Sequence, residues 1–307
     1  MHHTVNQIDV DASAAVVYGI IADPLRWPQY FGPTIHVERA EIDADTERLQ
    51  IWATANGEVR AWSSIRVFDP ERRSVSFQQE ISSPPVKFMG GTWTVNPGPG
   101  GVRLVLTHDF EAIDNDEANL EWITRATEEN SIVELTNIKN LAEEWNRRDE
   151  FVFSFEDSVL VDGKPEVIYA FLHDAGEWPQ RLPHVAKMEL RDEPGNLQLM
   201  AMHTRTQDGS VHVTESARIC FPEERIVYKQ LVTPELIAAH TGEWSLEQVG
   251  EGIQVHSRHT VALNESAVDV NPETGTTWAS VRDLVREAIG GNSRITLDRA
   301  KKFAEAR

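Results

Sequence analysis

The chain has 307 residues, enough for two ordinary domains or one large one. Its 29 Lys+Arg against 49 Asp+Glu leave a formal net charge of −20, which argues against a nucleic-acid binder or a protein held on anionic membranes, since both need positive fields. At 40% hydrophobic and 25% charged it reads as a folded globular protein, and its single cysteine, Cys220, excludes an intrachain disulfide framework or a Cys-rich metal site.

The elements of the first half run as follows. A strand is expected over 5–10. Ala15, Val16, Tyr18 and Ile20 fall near helical spacing and predict a helix over 12–22. Its apolar run of nine residues, 14–22, is far below the roughly 20 that a membrane span needs. The N-terminus, Met1-His2-His3-Thr4-Val5, lacks the basic start of a signal peptide. The expected location is cytoplasmic, with no membrane and no nucleic-acid partner. Pro24 and Pro28 frame a second, short helical turn. Alternating segments over 34–42, 48–55, 59–68, 74–81, 86–95 and 102–110 predict six strands. Turns separate them at Asn56-Gly57, Asp69-Pro70, Pro84-Pro85 and Asn96-Pro97-Gly98. A long helix over 117–147 closes the set. Such a helix lying across a curved antiparallel sheet buries both faces, an α+β arrangement. Where the two do not close fully, a cavity is left.

The second half repeats the first. Val10-Asp11, Tyr18, Asp23 and Trp27-Pro28-Gln29 recur as Val161-Asp162, Tyr169, Asp174 and Trp178-Pro179-Gln180. The offset is 178 − 27 = 151, and eight of the twenty positions from Val10 to Gln29 are identical. Trp93 answers Trp244, His108 answers His259, and Asn130-Ser131 answers Asn292-Ser293. The last offset is 162, which places an insertion of about eleven residues in the second copy, expected over 263–275. A period near 150 is a domain length. Two homologous domains are expected, 1–147 and 148–307.

Strand faces select candidate site residues. Val102, Leu104, Leu106, His108 and Phe110 share a face; in the second copy Ile253, Val255, Ser257, His259, Val261 and Leu263 do so. Each histidine is either a hydrogen-bonded core residue or a catalytic one. Trp62, Ser64, Arg66 and Phe68 share another face, answered by Thr214, Ser216, Arg218 and Cys220. Each arginine is either solvated on the outer surface or turned inward. Inward, it needs a partner, because a buried unpaired guanidinium is costly. The final helix of the first copy carries Leu120, Ile123, Thr127, Asn130, Ser131, Glu134, Leu135, Ile138, Leu141, Ala142 and Trp145 in one band. Its polar middle fits the wall of a wet cavity. In the second copy Gly290-Gly291 falls inside the corresponding helix, where a kink is expected. Nine tryptophans suit a pocket for a flat, oxygen-rich molecule. No Gly-rich phosphate loop, nucleotide fingerprint or HExxH stands in the chain. His256 and His259 face opposite sides of a strand and cannot share a metal.

The duplicated Trp-Pro-Gln, the Trp62-x-Ser64-x-Arg66 strand, the Gly-Thr-Trp strand ending at Trp93 and the Asn130-Ser131 helix resemble the polyketide aromatase/cyclases. These have the START/Bet v 1-like helix-grip fold, and two copies resemble the di-domain aromatase/cyclases of bacterial type II polyketide synthases. The resemblance implies two tandem helix-grip domains, each a sheet of about seven strands wrapped on a long C-terminal helix with two short helices. It implies regiospecific first-ring closure, typically C7–C12, and dehydration of a poly-β-ketone held on an acyl carrier protein through phosphopantetheine. Other synthase subunits would be partners, and no metal or redox cofactor is implied.

Carried over by residue, the resemblance makes Arg66, Ser64, His108 and Asn130 catalytic in the first copy, and Arg218, Ser216, His259 and Asn292 in the second. Trp27, Trp62 and Trp93, with Trp178 and Trp244, would bind substrate, and Thr127 and Glu134 are expected to do so from the polar middle of the long helix. Thr214 stands in place of the strand tryptophan, so the first copy keeps more of the aromatic set and is the expected catalytic pocket, the second not being excluded. Arg66→Ala is expected to leave the fold intact and divert product. Arg294, Arg299, Lys301, Lys302 and Arg307 are candidates for docking an acidic carrier protein. The main rival is a non-catalytic carrier of lipid- or sterol-like ligands, whose pocket would be almost wholly apolar.

Overall fold

The computed structural model describes residues 1–55, 58–205, 209–268 and 276–307. The expected turn at Asn56-Gly57 and part of the expected insertion at 263–275 lie outside the described residues. The chain divides into two compact units, Met1–Arg147 and Arg148–Arg307.

In the first unit, strand β1 (His2–Val10) leads into helix α1 (Ala14–Ala22). The Ser13 hydroxyl caps that helix by accepting from the Val16 N–H at 3.3 Å, so it starts two residues later than its apolar spacing suggests. Helix α2 (Trp27–Tyr30) follows, then β2 (Thr34–Glu41), β3 (Thr46–Ala55), β4 (Glu58–Asp69), β5 (Ser74–Gln79), β6 (Val86–Gly98), β7 (Gly101–Ala112) and helix α3 (Glu117–Glu143). The Asp116 carboxylate starts α3 by accepting from the Asn119 N–H at 2.8 Å. The helix does not reach residue 147. At Glu144 the backbone tightens onto Asn140 and Ala142, and Trp145 turns inward against Tyr30 in the core.

The second unit repeats this order after a short helix α4 (Arg148–Phe151). It contains β8 (Val152–Val161), α5 (Pro165–His173), α6 (Trp178–Arg181), β9 (Val185–Glu193), β10 (Leu197–Arg205), β11 (Val211–Phe221), β12 (Arg225–Val232), β13 (Ile237–Val249), β14 (Gly252–Leu263) and α7 (Trp278–Glu305). A capping box between Thr277 and Ser280 opens α7. The kink expected at Gly290-Gly291 is not found, and α7 runs through without a break. Gly290 serves a different need. A Cβ there would lie 2.0 Å from Arg286 Nη1 and 3.1 Å from Asp157 Oδ2, so the glycine leaves room for an ion cluster laid against the helix.

Each unit holds one seven-stranded antiparallel sheet, ordered β1-β7-β6-β5-β4-β3-β2 and β8-β14-β13-β12-β11-β10-β9. The first strand thus pairs with the last, and the long helix of each unit packs across these two strands. Leu135, Ile138 and Ala142 of α3 pack on Val10, Leu104 and Leu106. In the second unit α7 packs at both ends. Leu297, Ala300 and Ala304 meet Ile168, Phe171 and Leu172, while Val281 and Val285 meet Ile237, Val261 and Leu263. Between these two clusters helix and sheet stand apart. Among the described residues no helix is long and apolar enough to cross a membrane.

Candidate active site

The gap in the second unit is a cavity of about 420 Å³. Its walls are largely apolar, from Met200, Met202 and Trp244 of the sheet to Leu284, Ala288 and Ile289 of α7.

One row of residues runs across the sheet at right angles to the strands. Phe155 pairs with His259, His259 with Gly242, Gly242 with Tyr228, Tyr228 with Arg218, and Arg218 with Gln198. Successive members sit on adjacent strands and point to the same face. The first unit has the matching row Thr4, His108, Gly91, Phe77, Arg66 and Glu47.

In the second unit the row closes into a hydrogen-bonded cluster. His259 Nδ1 lies 3.1 Å from Tyr228 Oη and 3.1 Å from His240 Nε2. His259 Nε2 lies 3.0 Å from Ser257 Oγ and 3.3 Å from Ser293 Oγ, and the Ser293 hydroxyl donates to that of Ser257 at 2.7 Å. Burial, with Arg286 adding to it, holds the His259 imidazole down to about 4. Burial and the neighbouring His259 hold His240 down to about 3. Burial pushes the Tyr228 phenol up, against the pull of Arg218. All three are therefore neutral near pH 7. Neutral imidazoles can accept protons and a neutral phenol can give one.

Both site arginines turn inward. Arg218 is 1% exposed and Arg66 3% exposed. Arg218 donates from Nη2 to the Leu172 carbonyl at 2.6 Å and from Nη1 to the His173 carbonyl at 3.4 Å, tying off the end of α5. Its guanidinium carbon lies 5.4 Å from the Trp178 ring centroid. Arg66 does the same for α1, donating to the Ile21 carbonyl at 2.7 Å beside Trp27. They differ in charge balance. Arg66 Nη1 stands 3.2 Å from Glu47 Oε1, both buried, whereas the corresponding neighbour of Arg218 is the neutral Gln198. Burial lowers Arg66 to about 10 and raises Glu47, so desolvation outweighs the attraction within the pair. Arg218 stands on the cavity wall with no carboxylate in its place in the row, and burial lowers its pKa.

The other expected residues divide between the units. Trp178, Trp244, Ser216, Asn292 and His259 line the second cavity together with Arg218. Trp178 Nε1 donates to the Phe171 carbonyl at 3.1 Å, as Trp27 Nε1 does to Ile20 at 3.1 Å, so each indole also holds a helix end. In the first unit the Ser64 hydroxyl donates to the Gln78 carbonyl at 3.0 Å. Trp62 and Trp27 pack on Val37, Leu49 and Ile51, and Trp93 joins the main core. His108 is held down to about 4 by burial, and its Nδ1 faces the Ser131 hydroxyl at 3.5 Å. The polar middle of α3 is split. Thr127 and Ser131 are buried, while Asn130 and Glu134 are exposed. Glu134 nonetheless lies on the inward arc of the helix, and the protein around it raises its carboxyl to about 7. A first-unit cavity of about 270 Å³, lined by Met1, His2, Glu111 and Leu120 among others, reaches none of these residues.

Tyr228, His240 and Glu47 escaped the sequence reading. Tyr228 and His240 stand where the first copy has Phe77 and Met89, so the repeat itself concealed them. Five further polar atoms on the second cavity's wall are buried without a hydrogen-bond partner: Thr204 Oγ1, Thr214 Oγ1, Gln230 Oε1, His184 Nδ1 and His240 Nδ1. Among the described residues no group of three His, Cys, Asp or Glu could hold a metal ion. The basic residues of α7 are largely committed: Arg294 to Asp157 and Glu287, Lys301 to Glu305 and Lys302 to Asp298, with Arg307 over Phe303.

Comparison with known proteins identifies the family and the fold. The family model described as polyketide cyclase / dehydrase and lipid transport matches twice, over residues 1–143 and 152–305. The chain is 41% identical over 307 residues to the granaticin polyketide synthase bifunctional cyclase/dehydratase of Streptomyces violaceoruber, covering 99% of this chain and 95% of that one. It is 40% identical to the actinorhodin polyketide synthase bifunctional cyclase/dehydratase of Streptomyces coelicolor, covering 99% and 97%. Its fold matches the crystal structure of the di-domain ARO/CYC BexL from the BE-7585A biosynthetic pathway with a TM-score of 0.92 and 43% identity over all of both chains. The di-domain ARO/CYC StfQ from the steffimycin pathway matches with a TM-score of 0.85 and 30% identity over 100% and 99%. Each unit is thus a helix-grip module, and the chain belongs to the polyketide cyclase/dehydrase family.

Proposed function

We propose that this protein is a polyketide aromatase/cyclase that closes the first ring of an acyl-carrier-protein-bound poly-β-ketone, between C7 and C12, and dehydrates it towards an aromatic ring. It works in the cytoplasm beside other polyketide synthase subunits, and its units 1–147 and 148–307 are two aromatase/cyclase domains. The observation that carries this reading is the polar content of the second cavity. Partnerless Thr204, Thr214, Gln230, His184 and His240 atoms line an otherwise apolar hollow. A buried polar atom left unpaired costs about 1–3 kcal/mol, and a ligand bearing an oxygen on every second carbon satisfies such a wall. A lipid or sterol tail does not, which weighs against the carrier reading.

The chemistry follows from the side chains. Ring closure removes a proton from a carbon between two carbonyls, and a neutral imidazole such as His259 can take it. Negative charge then develops on oxygen, where Arg218 and nearby hydroxyls can meet it. Apolar walls hold the two reacting carbons near each other, and in water a free polyketone would sample many other registers. Because Arg218 lacks the carboxylate that neutralises Arg66, we place the ring chemistry in the second unit. The test is reconstitution of the full chain with a minimal polyketide synthase, its products resolved by liquid chromatography and mass spectrometry. The expected result is one first-ring-cyclised aromatic product in place of a mixture of shunts. An identical mixture with and without the protein overturns the proposal.

A further inference from the structure

We infer that Tyr228 is a catalytic acid of the second cavity, giving its hydroxyl proton to substrate oxygen and regaining it from His259. The inference rests on the cyclase reading and extends it to a residue which that reading leaves without a task.

Three observations carry it. First, the hydroxyl has a built position. Tyr228 lies across Gly242, and a Cβ at that glycine would sit 2.3 Å from both Cζ and Oη. Only a residue without a side chain lets the ring lie flat on β13 and bring Oη within 3.1 Å of His259 on the next strand. Second, His259 Nδ1 has one hydrogen-bonding position and two neighbours at 3.1 Å, Tyr228 Oη and His240 Nε2. Its partner can change from one to the other without any chain movement, which leaves the phenol free to turn to a ligand. Third, the first unit holds a natural control. Phe77 lies on Gly91 in the same row beside His108, so packing at this position is met by a bare ring. The second unit adds only the oxygen.

The proton balance closes. His259 takes a proton from the methylene carbon, and the resulting enolate carbon forms the new C–C bond at a ketone carbon. The electron pair of that C=O moves to oxygen, which takes the Tyr228 proton. The phenolate then recovers a proton from the His259 imidazolium, and the net change is transfer of hydrogen from carbon to oxygen. In dehydration the same loop removes the neighbouring C–H, forms the C=C bond and breaks the C–O bond. Tyr228 protonates the departing oxygen as water, and His259 again restores the phenol.

The test is Tyr228→Phe in the full chain, which copies the first unit's own residue. Circular dichroism is expected to show a folded protein. The rate of aromatic product formation in the reconstituted synthase is expected to fall about 100-fold, with shunt products returning. Wild-type protein that leaves the synthase products unchanged overturns the cyclase reading itself. Wild type that redirects them, matched within about threefold by Y228F, overturns only the role of Tyr228. Should Y228F lose its fold, replacing the tyrosines with 3-fluorotyrosine keeps the shape and makes the phenol more acidic. Of the four tyrosines only Tyr228 lines the cavity, so the alkaline limb of the pH–rate profile should move to lower pH. An unmoved limb overturns the assignment.

Discussion

Tyr228 rests on Gly242 so closely that its hydroxyl occupies the space beside an absent β-carbon, and that contact sets the reach of the phenol to His259. The position of the Tyr228 hydroxyl on the second unit's cavity wall therefore depends on a residue that contributes no functional group.

Gly242→Ala should test this dependence. The added methyl group would meet ring atoms at 2.3 Å, and the ring must shift off the row. We expect a stability loss of about 1–3 kcal/mol by urea denaturation, together with loss of aromatic product. Retention of full activity would show that the ring position is immaterial.

Glu47 separates the electrostatics of the two units. Glu47→Ala leaves Arg66 buried beside no carboxylate and should cost about 3–5 kcal/mol. Glu47→Gln reproduces the Arg218–Gln198 arrangement and should cost less than half of that in the same denaturation assay. Arg66→Ala, which the sequence suggests is harmless to the fold, should also lower stability. It strands Glu47 and releases the Ile21 carbonyl.

Arg218 should matter more to turnover than Arg66. Arg218→Ala is expected to lower the rate of aromatic product formation by about 10²–10³-fold, and Arg66→Ala by less. Single-turnover rates of the two variants, each corrected for its folded fraction, provide the measurement. Equal losses would place the chemistry in both units.

Acid should destabilise the protein earlier than its carboxylates alone would cause. Burial holds His108, His184 and His259 to about 4 and His240 to about 3, against 6.5 in an unfolded chain. Below pH 6.5 the unfolded state binds protons that the native state refuses. Their contribution is complete above that pH and is lost as pH falls towards 4. Each fully buried group, such as His240 or His259, sets a slope of up to about 1.4 kcal/mol per pH unit. Glu134, raised to about 7, works with the opposite sign between pH 7 and 4.5 and offsets part of this. Urea midpoints at pH 7.5, 6 and 5 should fall in that order, and His240→Met, which copies Met89, should flatten the decline.

The sequence made the sheet and its faces readable because side-chain alternation along a strand needs only one strand. The grouping of Trp62, Ser64 and Arg66 on one face and of Leu104, Leu106 and His108 on another followed from that alone, but which of the two sides Arg66 takes did not, and only its burial decides it. The cross-strand row did not, because it depends on the register of six strands, and no single segment encodes how far one slides past the next. Gly242 and Tyr228 are fourteen residues apart in the chain and look unrelated there. Gly290 misled for the same reason: glycine in a helix suggests a hinge until Asp157 of β8, paired with Arg286 one turn before the glycine, is seen to fill the space. The end of α3 was overestimated because Trp145 fits the helical band as well as it fits the core it actually enters.

The two rows share arginine, glycine and histidine and differ at Phe77 against Tyr228, Glu47 against Gln198, and Thr4 against Phe155. After a gene duplication, a hydroxyl on one ring and an amide in place of one acid are enough to give two otherwise matching rows different electrical character. Neither change needs a new backbone, so one copy could specialise while the other preserved the scaffold.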